Sequence, residues 1–500
     1  MTDLVAQALA ALRQKDFAGA RAAMTAFATE NQLEFQHYLI KGLAEIALQD
    51  WMAARDTFTE ASEIFPHQPQ VWLNLGVAEE NLGDLDDAAE SLEQSLDLKA
   101  EQGDVCGNLS NVYRKLGRFE DAERMAHRAY ELGAPKGQSL NSLGLALMKQ
   151  GKFEAAERTF QEALRHDATD AHIPANIANC YVDQLKFEAA WPFFAKARAL
   201  SNDATIRRDE GMARLLAGQY AEGWKLYEAR LELPNALRII PNCPRYNGEP
   251  VAGKKILLLA EQGFGDTIMF CRYGKMLHDM KADICWVVQK PVKWLLDGNM
   301  PGTITAEGDP MPYADYYIPL LSLPNALQKP SPADAPTTPY LRVTTTAELP
   351  DAKTGKKKIG LVWAGSPTHE RDHERSIPLE AFAPLFRKLN ATFYSPFTGA
   401  GLEEITSGTP VIRLDQLITD FADTAAILQA LDYLVTVDTA TAHLAGALGI
   451  KTYLLLQYSP DWRWGTEGIS TAWYPSITLL RQPKYGDWES VLNTLLDRLA

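Results

Sequence analysis

An alanine that recurs every 34 residues is the feature that most constrains the fold of the first half of this chain. The repeat is marked by Ala20, Ala54, Ala88, Ala122, Ala156 and Ala190. A large apolar residue lies three positions before each alanine, and Gly83, Gly117 and Gly151 follow the same period. This pattern indicates stacked pairs of antiparallel helices, since small residues permit a close crossing and glycine permits the turn. We predict an all-α solenoid over residues 1–231, with six repeats and a degenerate cap.

The repeat resembles that of the tetratricopeptide-repeat (TPR) family, because Trp72, Gly76 and Ala88 stand at the family's signature spacings. Stacked repeats of this family form a superhelix whose concave face binds extended polypeptide segments. Asparagine suits such a face because its amide group both donates and accepts hydrogen bonds. We predict that a protein partner binds to Asn108, Asn111, Asn141 and Asn176. The alternative is that these asparagines only bridge neighbouring repeats.

The composition argues against a nucleic-acid partner. The formal net charge is −15, and no run of Lys and Arg is longer than Lys356–Lys358. Proteins that bind phosphate backbones normally present a basic face. We therefore predict no nucleic-acid binding and interpret the acidic excess as a solvated surface.

The cysteines and apolar runs favour a cytoplasmic protein. The five cysteines are scattered and lack a C-x-x-C spacing, which argues against a disulfide framework or a thiolate zinc site. The N-terminus has no signal-peptide pattern, and no apolar run approaches the ~18 residues of a membrane span. We expect no metal, no membrane insertion and a reducing compartment.

The helical period ends in a proline-rich linker, residues 232–252, and buried strands then alternate with helices. For the first lobe, residues 253–345, we predict strand Lys255–Ala260, helix Phe264–Met280, strand Ala282–Val288 and helix Pro291–Asp297. For the second lobe, residues 346–500, we predict strands Ile359–Trp363, Thr392–Ser395, Val411–Leu414, Tyr433–Val437 and Thr452–Leu456, and a last helix Trp488–Leu499. Two Rossmann-like lobes of this kind suggest the α/β GT-B architecture of glycosyltransferases, with a cleft at the carboxyl ends of the strands.

A glycine-containing turn follows the first predicted strand of the first lobe. Gly263 and Gly265 would let the backbone approach a ligand at the start of the next helix. The turn lacks the third glycine of a dinucleotide fingerprint and the lysine of a P-loop, so NAD binding and ATP hydrolysis are poorly supported. The structural alternative is a tight turn in which Asp266 merely stabilises the helix start.

A polar loop, residues 365–376, follows the first strand of the second lobe. Arg371 and Arg375, with Ser376, could hold a diphosphate through forked hydrogen bonds. The alternative is a solvated charged loop. His369 and His373 have a zinc-like spacing, but no third ligand stands near them in the sequence, so metal binding is the weaker interpretation.

A third segment, residues 437–449, runs from a buried strand into a helix. Asp438 and Thr439 fall at the helix cap, where free backbone N–H groups and the helix dipole favour phosphate. Asp438 could hold sugar hydroxyls, and His443 could face the cleft. A single histidine one turn into a helix is more often structural, but this histidine shares its turn with the two cap residues.

The turn Gly263–Asp266 and the run Asp438-Thr439 through His443-Leu444-Ala445 to Gly449 resemble the bacterial heptosyltransferase-like glycosyltransferases. Trp363-Ala364-Gly365 and Pro460-Asp461-Trp462-Arg463-Trp464 extend the resemblance to bacterial proteins that join TPR repeats to such a domain. The resemblance implies an inverting, metal-independent transfer from a nucleotide-diphosphate sugar, with no further cofactor. By the same resemblance, Asp266 would be the general base.

The order of the domains is similar to that of the O-linked N-acetylglucosamine transferases, in which TPR repeats deliver a protein substrate. We therefore expect a protein acceptor. Two alternatives stay open: a transferase that acts on glycan or lipopolysaccharide, and a nonenzymatic TPR adaptor with a degenerate glycosyltransferase domain. The family's Asp-Thr-Gly is Asp438-Thr439-Ala440 in this chain, which leaves the donor undefined.

Overall fold

The computed structural model of the protein describes residues 2–234, 236–352 and 355–500. The chain divides into two compact units, Met1–Cys180 and Tyr181–Ala500. None of the helices in the described ranges is long and apolar enough to cross a bilayer.

Paired helices fill the first half of the chain. They are α1 Thr2–Arg13, α2 Phe17–Glu30, α3 Phe35–Ala47, α4 Trp51–Ile64, α5 Pro69–Leu82, α6 Leu85–Leu98, α7 Gly103–Lys115, α8 Phe119–Glu131, α9 Lys136–Lys149, α10 Phe153–His166, α11 His172–Asp183, α12 Phe187–Leu200, α13 Ala204–Leu216 and α14 Tyr220–Tyr227. A short 3-10 turn, Glu228–Glu232, follows α14. The helical solenoid predicted from the period is confirmed.

The 34-residue period has a direct structural origin. The second helix of each of the first six pairs begins at the large apolar residue of the repeat, and the alanine three positions later is fully buried. Gly83, Gly117 and Gly151 adopt positive φ angles of 92°, 76° and 72° at the turns between helices. A side chain would strain the backbone there, so the glycine spacing follows from the turn geometry.

The second unit contains a four-stranded and a six-stranded sheet in its described residues, and all strand pairs are parallel. The strands are β1 Lys255–Leu259, β2 Asp283–Val288, β3 Thr303–Ala306, β4 Tyr316–Pro319, β5 Lys357–Val362, β6 Ala391–Ser395, β7 Val411–Arg413, β8 Tyr433–Val437, β9 Thr452–Leu456 and β10 Ile477–Arg481. Their order is β3-β2-β1-β4 in the first sheet and β10-β9-β8-β5-β6-β7 in the second. An α/β region with parallel sheets therefore follows the solenoid.

Helices lie between and after the strands of the two sheets. They are α15 Phe264–Phe270, α16 Arg272–Asp279, α17 Lys293–Leu296, α18 Leu323–Ala326, α19 Asp372–Arg375, α20 Ala383–Lys388, α21 Phe421–Gln429, α22 Ala440–Leu448 and α23 Trp488–Leu499. The single helix predicted over Phe264–Met280 is wrong, because the chain turns at Cys271 between α15 and α16. Arg272 Nε donates to the Met269 carbonyl there, and the Gly274 amide bonds to the Cys271 carbonyl three residues back.

The last helices of the repeat region belong to the same compact unit as the sheets. Trp224 of α14 is fully buried, with its ring centroid 5.7 Å from Phe270 and 5.1 Å from Trp462. Its indole N–H donates to the Pro330 carbonyl at 2.9 Å. Since Phe270 belongs to α15 and Trp462 follows β9, Trp224 contacts the regions of both sheets.

Candidate functional site

The winding of the second sheet reverses between β5 and β8. The chain moves outward from β5 through β6 to β7, and then returns to β8 on the other side of β5. In open parallel sheets, ligands bind beside the carboxyl ends of the strands at such a reversal. The predicted loop 365–376 follows β5, and Asp438 directly follows β8. Two of the three predicted segments therefore share this position.

The loop 365–376 is held by its own side chains. Asp372 accepts hydrogen bonds from Arg375 Nε at 2.9 Å and from the Ser376 hydroxyl at 3.0 Å, and that hydroxyl accepts from the Gly365 amide at 3.0 Å. A Cβ on Gly365 would lie 2.4 Å from Arg375 Nη2, so any larger residue at this position would displace the Arg375 guanidinium. Arg375 Nη1 donates to the Asp438 carbonyl at 2.8 Å, which joins the loop to the end of β8.

Arg371 is placed differently from Arg375. Its guanidinium forms ion pairs with Glu374 and, at 3.3 Å, with Asp183 of α11, and it donates to the Ser459 carbonyl at 3.0 Å. The charge of Glu374 raises the pKa of Arg371, although burial acts in the opposite direction. The two arginines predicted to act together therefore have separate partners: Arg375 bonds to the end of β8, and Arg371 bonds to α11.

The glycine turn after β1 meets the start of α22. The Gly263 amide donates to Asp266 Oδ2 at 3.1 Å, and α15 begins at Phe264. A Cβ on Gly265 would lie 2.8 Å from His443 Cδ2 and 3.4 Å from the Ala440 Cα. Only a residue without a side chain permits this approach. Gly265 therefore brings the strand-to-helix turn of one sheet against that of the other.

The other oxygen of Asp266 forms an ion pair with Arg463, which lies in the 3-10 turn Trp462–Trp464 after β9. Arg463 also pairs with Asp461 at 2.7 Å, and its guanidinium lies 4.2 Å from the centre of the Trp462 ring. The Arg463 and Asp266 side chains are only 11% and 14% exposed. The charges of Asp266 and Asp461 raise the pKa of Arg463 against the effect of burial. The sequence identified this turn by resemblance alone and assigned Arg463 no role.

Asp438 is a buried carboxyl group at the end of β8. Burial and the neighbouring charge of Asp461 raise its pKa to about 6, although Arg375, the indole of Trp464 and Arg463 partly offset these effects. Its neighbour Thr439 is the N-cap of α22, and its hydroxyl lies 3.2 Å from that of Thr436. A carboxyl with this pKa can accept or donate a proton near neutral pH.

His443 is buried between aromatic rings. Its Nδ1 lies 3.0 Å from the Tyr474 hydroxyl, and its ring stacks on Trp464 with centroids 5.1 Å apart and an interplanar angle of 22°. Burial and the positive charge of Arg463 lower its pKa to about 3. His443 is therefore neutral at physiological pH, and it contacts Gly265 through its ring edge.

A buried cation beside this cluster escaped the sequence analysis. Arg272 is 2% exposed and donates to the Tyr340 hydroxyl at 2.9 Å and to the Trp473 carbonyl at 3.2 Å. Its guanidinium carbon lies 4.2 Å from the centre of the Tyr340 ring and 4.8 Å from that of Tyr474. The sequence around it offers little signal, since Arg272 begins α16, a helix that also carries Lys275, His278 and Asp279, and this pattern does not distinguish a buried arginine from an exposed one.

The predicted asparagines lie on the first helices of successive repeats. Asn108 and Asn111 belong to α7, Asn141 to α9 and Asn176 to α11, and each is half-buried. Asn176 Nδ2 donates to Asn141 Oδ1 at 2.9 Å. For this pair of asparagines, the hydrogen bond is a bridge between neighbouring repeats, as the alternative interpretation expects. Among the described residues, no group of three or more His, Cys, Asp or Glu has the arrangement of a metal site.

Comparison with known proteins assigns the helical half to a class. The N-terminal part of the chain is a helical solenoid of the TPR-repeat type. The family model described as the C-terminal domain of cilia and flagella-associated protein 70 matches residues 3–233.

Protein FlbA of Caulobacter vibrioides is 26% identical over 330 residues, which are 57% of this chain and 53% of that protein. The chain therefore spans about half the length of this curated relative.

Two solved structures are similar to the helical part. A tetratricopeptide-repeat protein from Parabacteroides merdae is 14% identical with a TM-score of 0.43, over 47% of this chain and 93% of that chain. YrrB, a TPR protein described as having an unusual peptide-binding site, is 18% identical with a TM-score of 0.27, over 35% and 91% of the two chains.

Proposed function

We propose that this TPR-repeat protein is an inverting, metal-independent glycosyltransferase that moves a sugar from a nucleotide-diphosphate donor to a protein recruited by the repeats. The observation that carries the proposal is the contact of Gly265 with Ala440 and His443. It sets two strand-to-helix turns of different sheets against each other, beside the winding reversal of the second sheet. A ligand held beside such turns can be contacted by residues of both sheets. Transfer requires this arrangement, because one sheet can hold the donor while the other holds the acceptor.

The residues around this contact suit the reaction. The Asp266 carboxylate takes the proton of the acceptor nucleophile, whose electron pair forms the new bond to the anomeric carbon of the sugar. The bond from that carbon to the diphosphate oxygen breaks from the opposite face, and the nucleoside diphosphate leaves with the electron pair. Arg375 and the backbone N–H groups at Thr439 meet the developing charge. Asp438 binds the sugar hydroxyls, and His443 supports the donor side as a neutral group.

Arg371 has a supporting role in this proposal. Its contacts with Asp183, Glu374 and the Ser459 carbonyl hold the loop 365–376 in place. Arg371 therefore positions the loop on the donor side, while Arg375 makes the direct contact.

The acceptor assignment depends on the helical repeats. The concave face of a TPR solenoid suits an extended polypeptide. Asn108 and Asn111 face such a segment, together with Asn141 and Asn176. If the acceptor is instead a glycan, the purified protein transfers sugar to oligosaccharide with no polypeptide present, and this result would refute the protein acceptor while leaving the enzyme class intact.

One observation favours a second candidate function. Asp266, the proposed base, forms an ion pair with Arg463, so one of its carboxylate oxygens is not available to contact an acceptor nucleophile. A nonenzymatic TPR adaptor that retains the α/β region as a binding module could keep this pair permanently. Such an adaptor neither hydrolyses nor transfers any nucleotide sugar.

Mass spectrometry of acceptor proteins incubated with a panel of nucleotide sugars tests the proposal. We expect a sugar-sized mass gain with the wild type and its loss with Asp266→Asn. The matched control is Asp487→Asn, which removes another carboxylate that accepts a helix-start amide, at α23. Transfer that persists in Asp266→Asn refutes the assigned base, and absence of both transfer and donor hydrolysis with every sugar supports the adaptor.

A further inference from the structure

Arg463 occupies the point where charges from the two sheets meet. Its Nη2 contacts Asp266, at the start of α15, and its Nη1 contacts Asp461, just after β9. The Trp462 ring, 4.2 Å from the guanidinium carbon, supports the guanidinium on one face. Arg463 is thus in direct contact with the proposed base, whereas Arg375 contacts the Asp438 carbonyl directly after β8.

The hydrogen-bonding capacity of Arg463 is incompletely used. Its Nε is buried and has no acceptor among the residues that the structure describes. Buried donors are nearly always paired in folded proteins, and exceptions often mark the place of a ligand. An oxygen reaching Nε and one Nη nitrogen would receive the forked pair of bonds that arginine offers to phosphate.

Asp266 and a diphosphate compete for the same guanidinium. A diphosphate presents several anionic oxygens, whereas each aspartate presents two. Arginine can shift toward the group of higher charge while Asp461 continues to hold its Nη1. The Asp266 carboxylate then loses its cation partner, and the oxygen that Arg463 held is free to contact the acceptor nucleophile.

We propose that Arg463 receives the diphosphate of the nucleotide sugar, and that its ion pair with Asp266 keeps the base occupied until that diphosphate is bound. The inference rests on the proposed function and adds a donor-binding residue to it. No bond is made or broken in this exchange, since the guanidinium only changes its anionic partner. The base is therefore released when the donor is present, which limits proton transfer in its absence.

Calorimetric titration with uridine, guanosine and adenosine diphosphates, and with the corresponding nucleosides, tests the exchange. We expect Arg463→Gln to weaken binding of the preferred diphosphate by at least about tenfold and to leave nucleoside binding unchanged. Asp266→Asn should tighten diphosphate binding severalfold, because the competing carboxylate is gone. In the double variant, Asp266→Asn should bring no tightening, because the two residues act through one contact.

Two controls separate this exchange from a general loss of structure. Arg413→Gln breaks the exposed Arg413–Asp415 pair at β7, three strands from β8, and should leave diphosphate affinity unchanged. Arg463→Lys keeps the positive charge but loses the fork, and should give an intermediate affinity. If Arg463→Gln fails to fold, Arg463→Lys takes its place. Its diphosphate affinity is then measured alone and in combination with Asp266→Asn.

The outcomes distinguish the inference from the function on which it rests. Wild-type affinity in Arg463→Gln, or equal tightening by Asp266→Asn in both backgrounds, overturns the role of Arg463 and leaves a glycosyltransferase that still binds its donor. If the wild type binds neither a diphosphate nor any nucleotide sugar, the proposed function fails, and the role of Arg463 fails with it.

Discussion

Arg230 donates hydrogen bonds of 2.8 and 2.9 Å to the two carboxylate oxygens of Glu261, and both side chains are buried. Arg230 lies in the 3-10 turn after α14, and Glu261 stands two residues before Gly263. Glu261 also accepts from the Leu321 amide at 2.9 Å. The end of the repeat helices is therefore tied to the turn that carries the proposed base.

Removing one member of this pair should destabilise the protein strongly. Glu261→Ala removes both short hydrogen bonds of the buried Arg230 guanidinium to Glu261 and leaves it one carboxylate contact, at 3.2 Å to Glu228, so we expect a loss of about 3 kcal/mol in the free energy of unfolding. Urea denaturation measures the change. Arg413→Gln, at an ion pair whose arginine side chain is 47% exposed, is the control and should leave the free energy of unfolding nearly unchanged. Equal effects of the two substitutions would contradict the prediction.

Two glycines of the same turn should respond differently to alanine. In Gly265→Ala the new Cβ would lie 2.8 Å from His443 Cδ2, so we expect overpacking to cost about 1–3 kcal/mol. In Gly263→Ala the nearest atom is Asp266 Oδ2 at 3.6 Å, and φ is −73°, so we expect little change. Thermal denaturation of the two variants makes the comparison. A tolerated Gly265→Ala would mean that α15 and α22 can separate at little cost.

The periodic part of the fold could be predicted from the sequence, because each repeat is specified locally. The alanine crossings and glycine turns recur at fixed spacing, and Tyr433–Val437 and Thr452–Leu456 are continuous apolar runs whose bounds match the structure. Three strands were not predicted from the sequence. Two of them, Thr303–Ala306 and Tyr316–Pro319, have four residues each and show no clear periodicity, and they form only by pairing with distant strands.

The pKa of Asp438 predicts a stability difference that depends on pH. Its folded value of about 6 lies above the ordinary aspartate value of 3.8, so its contribution is fully present below pH 4 and is lost as the pH rises through 6. Asp438→Asn, which mimics the protonated form, should therefore be more stable than the wild type above pH 6, by on the order of 2 kcal/mol. Urea denaturation at several pH values should show the gap closing between pH 6 and 4. A constant gap would contradict the raised pKa.

His443 should produce the opposite dependence. Its folded pKa of about 3 lies below the ordinary value of 6.5, so its contribution is present above pH 6.5 and is lost as the pH falls toward 3. The wild type should lose about 2 kcal/mol between pH 7 and pH 5 relative to His443→Gln, which keeps a polar group near Tyr474. Parallel stability curves for the two proteins would show that His443 is not buried as a neutral ring.

The asparagines of the helical repeats should fall into two groups. Asn141→Ala removes the acceptor of the Asn176 amide and should lower the unfolding free energy by about 0.5–1.5 kcal/mol. Asn111→Ala, on α7, should instead weaken capture of the acceptor protein and leave the melting temperature nearly unchanged. Binding measured by calorimetry and melting measured by circular dichroism separate the two effects. Loss of stability in both variants would favour bridging as the general role of these asparagines.

The candidate site could be predicted only in part. Asp266, Asp438 and His443 stand in recognisable strand-to-helix turns, so short-range pattern was enough to select them. The partners of these residues could not be selected in the same way, since Asp266 and Arg463 are 197 residues apart in the chain. Asp183, the partner of Arg371, lies in a repeat helix, and nothing in the local sequence links it to a loop of the second sheet.

Trp224 also bears on how such a chain can arise by recombination. A crossover at residue 231, where the 34-residue period ends, would separate this indole from Phe270, Trp462 and the Pro330 carbonyl, and would expose apolar surface on both products. A crossover before α12 would keep these contacts together. The segment that recombination must keep intact therefore contains the parallel sheets together with the last helices of the repeat region. A different solenoid can replace the present one only if it joins the chain before those helices.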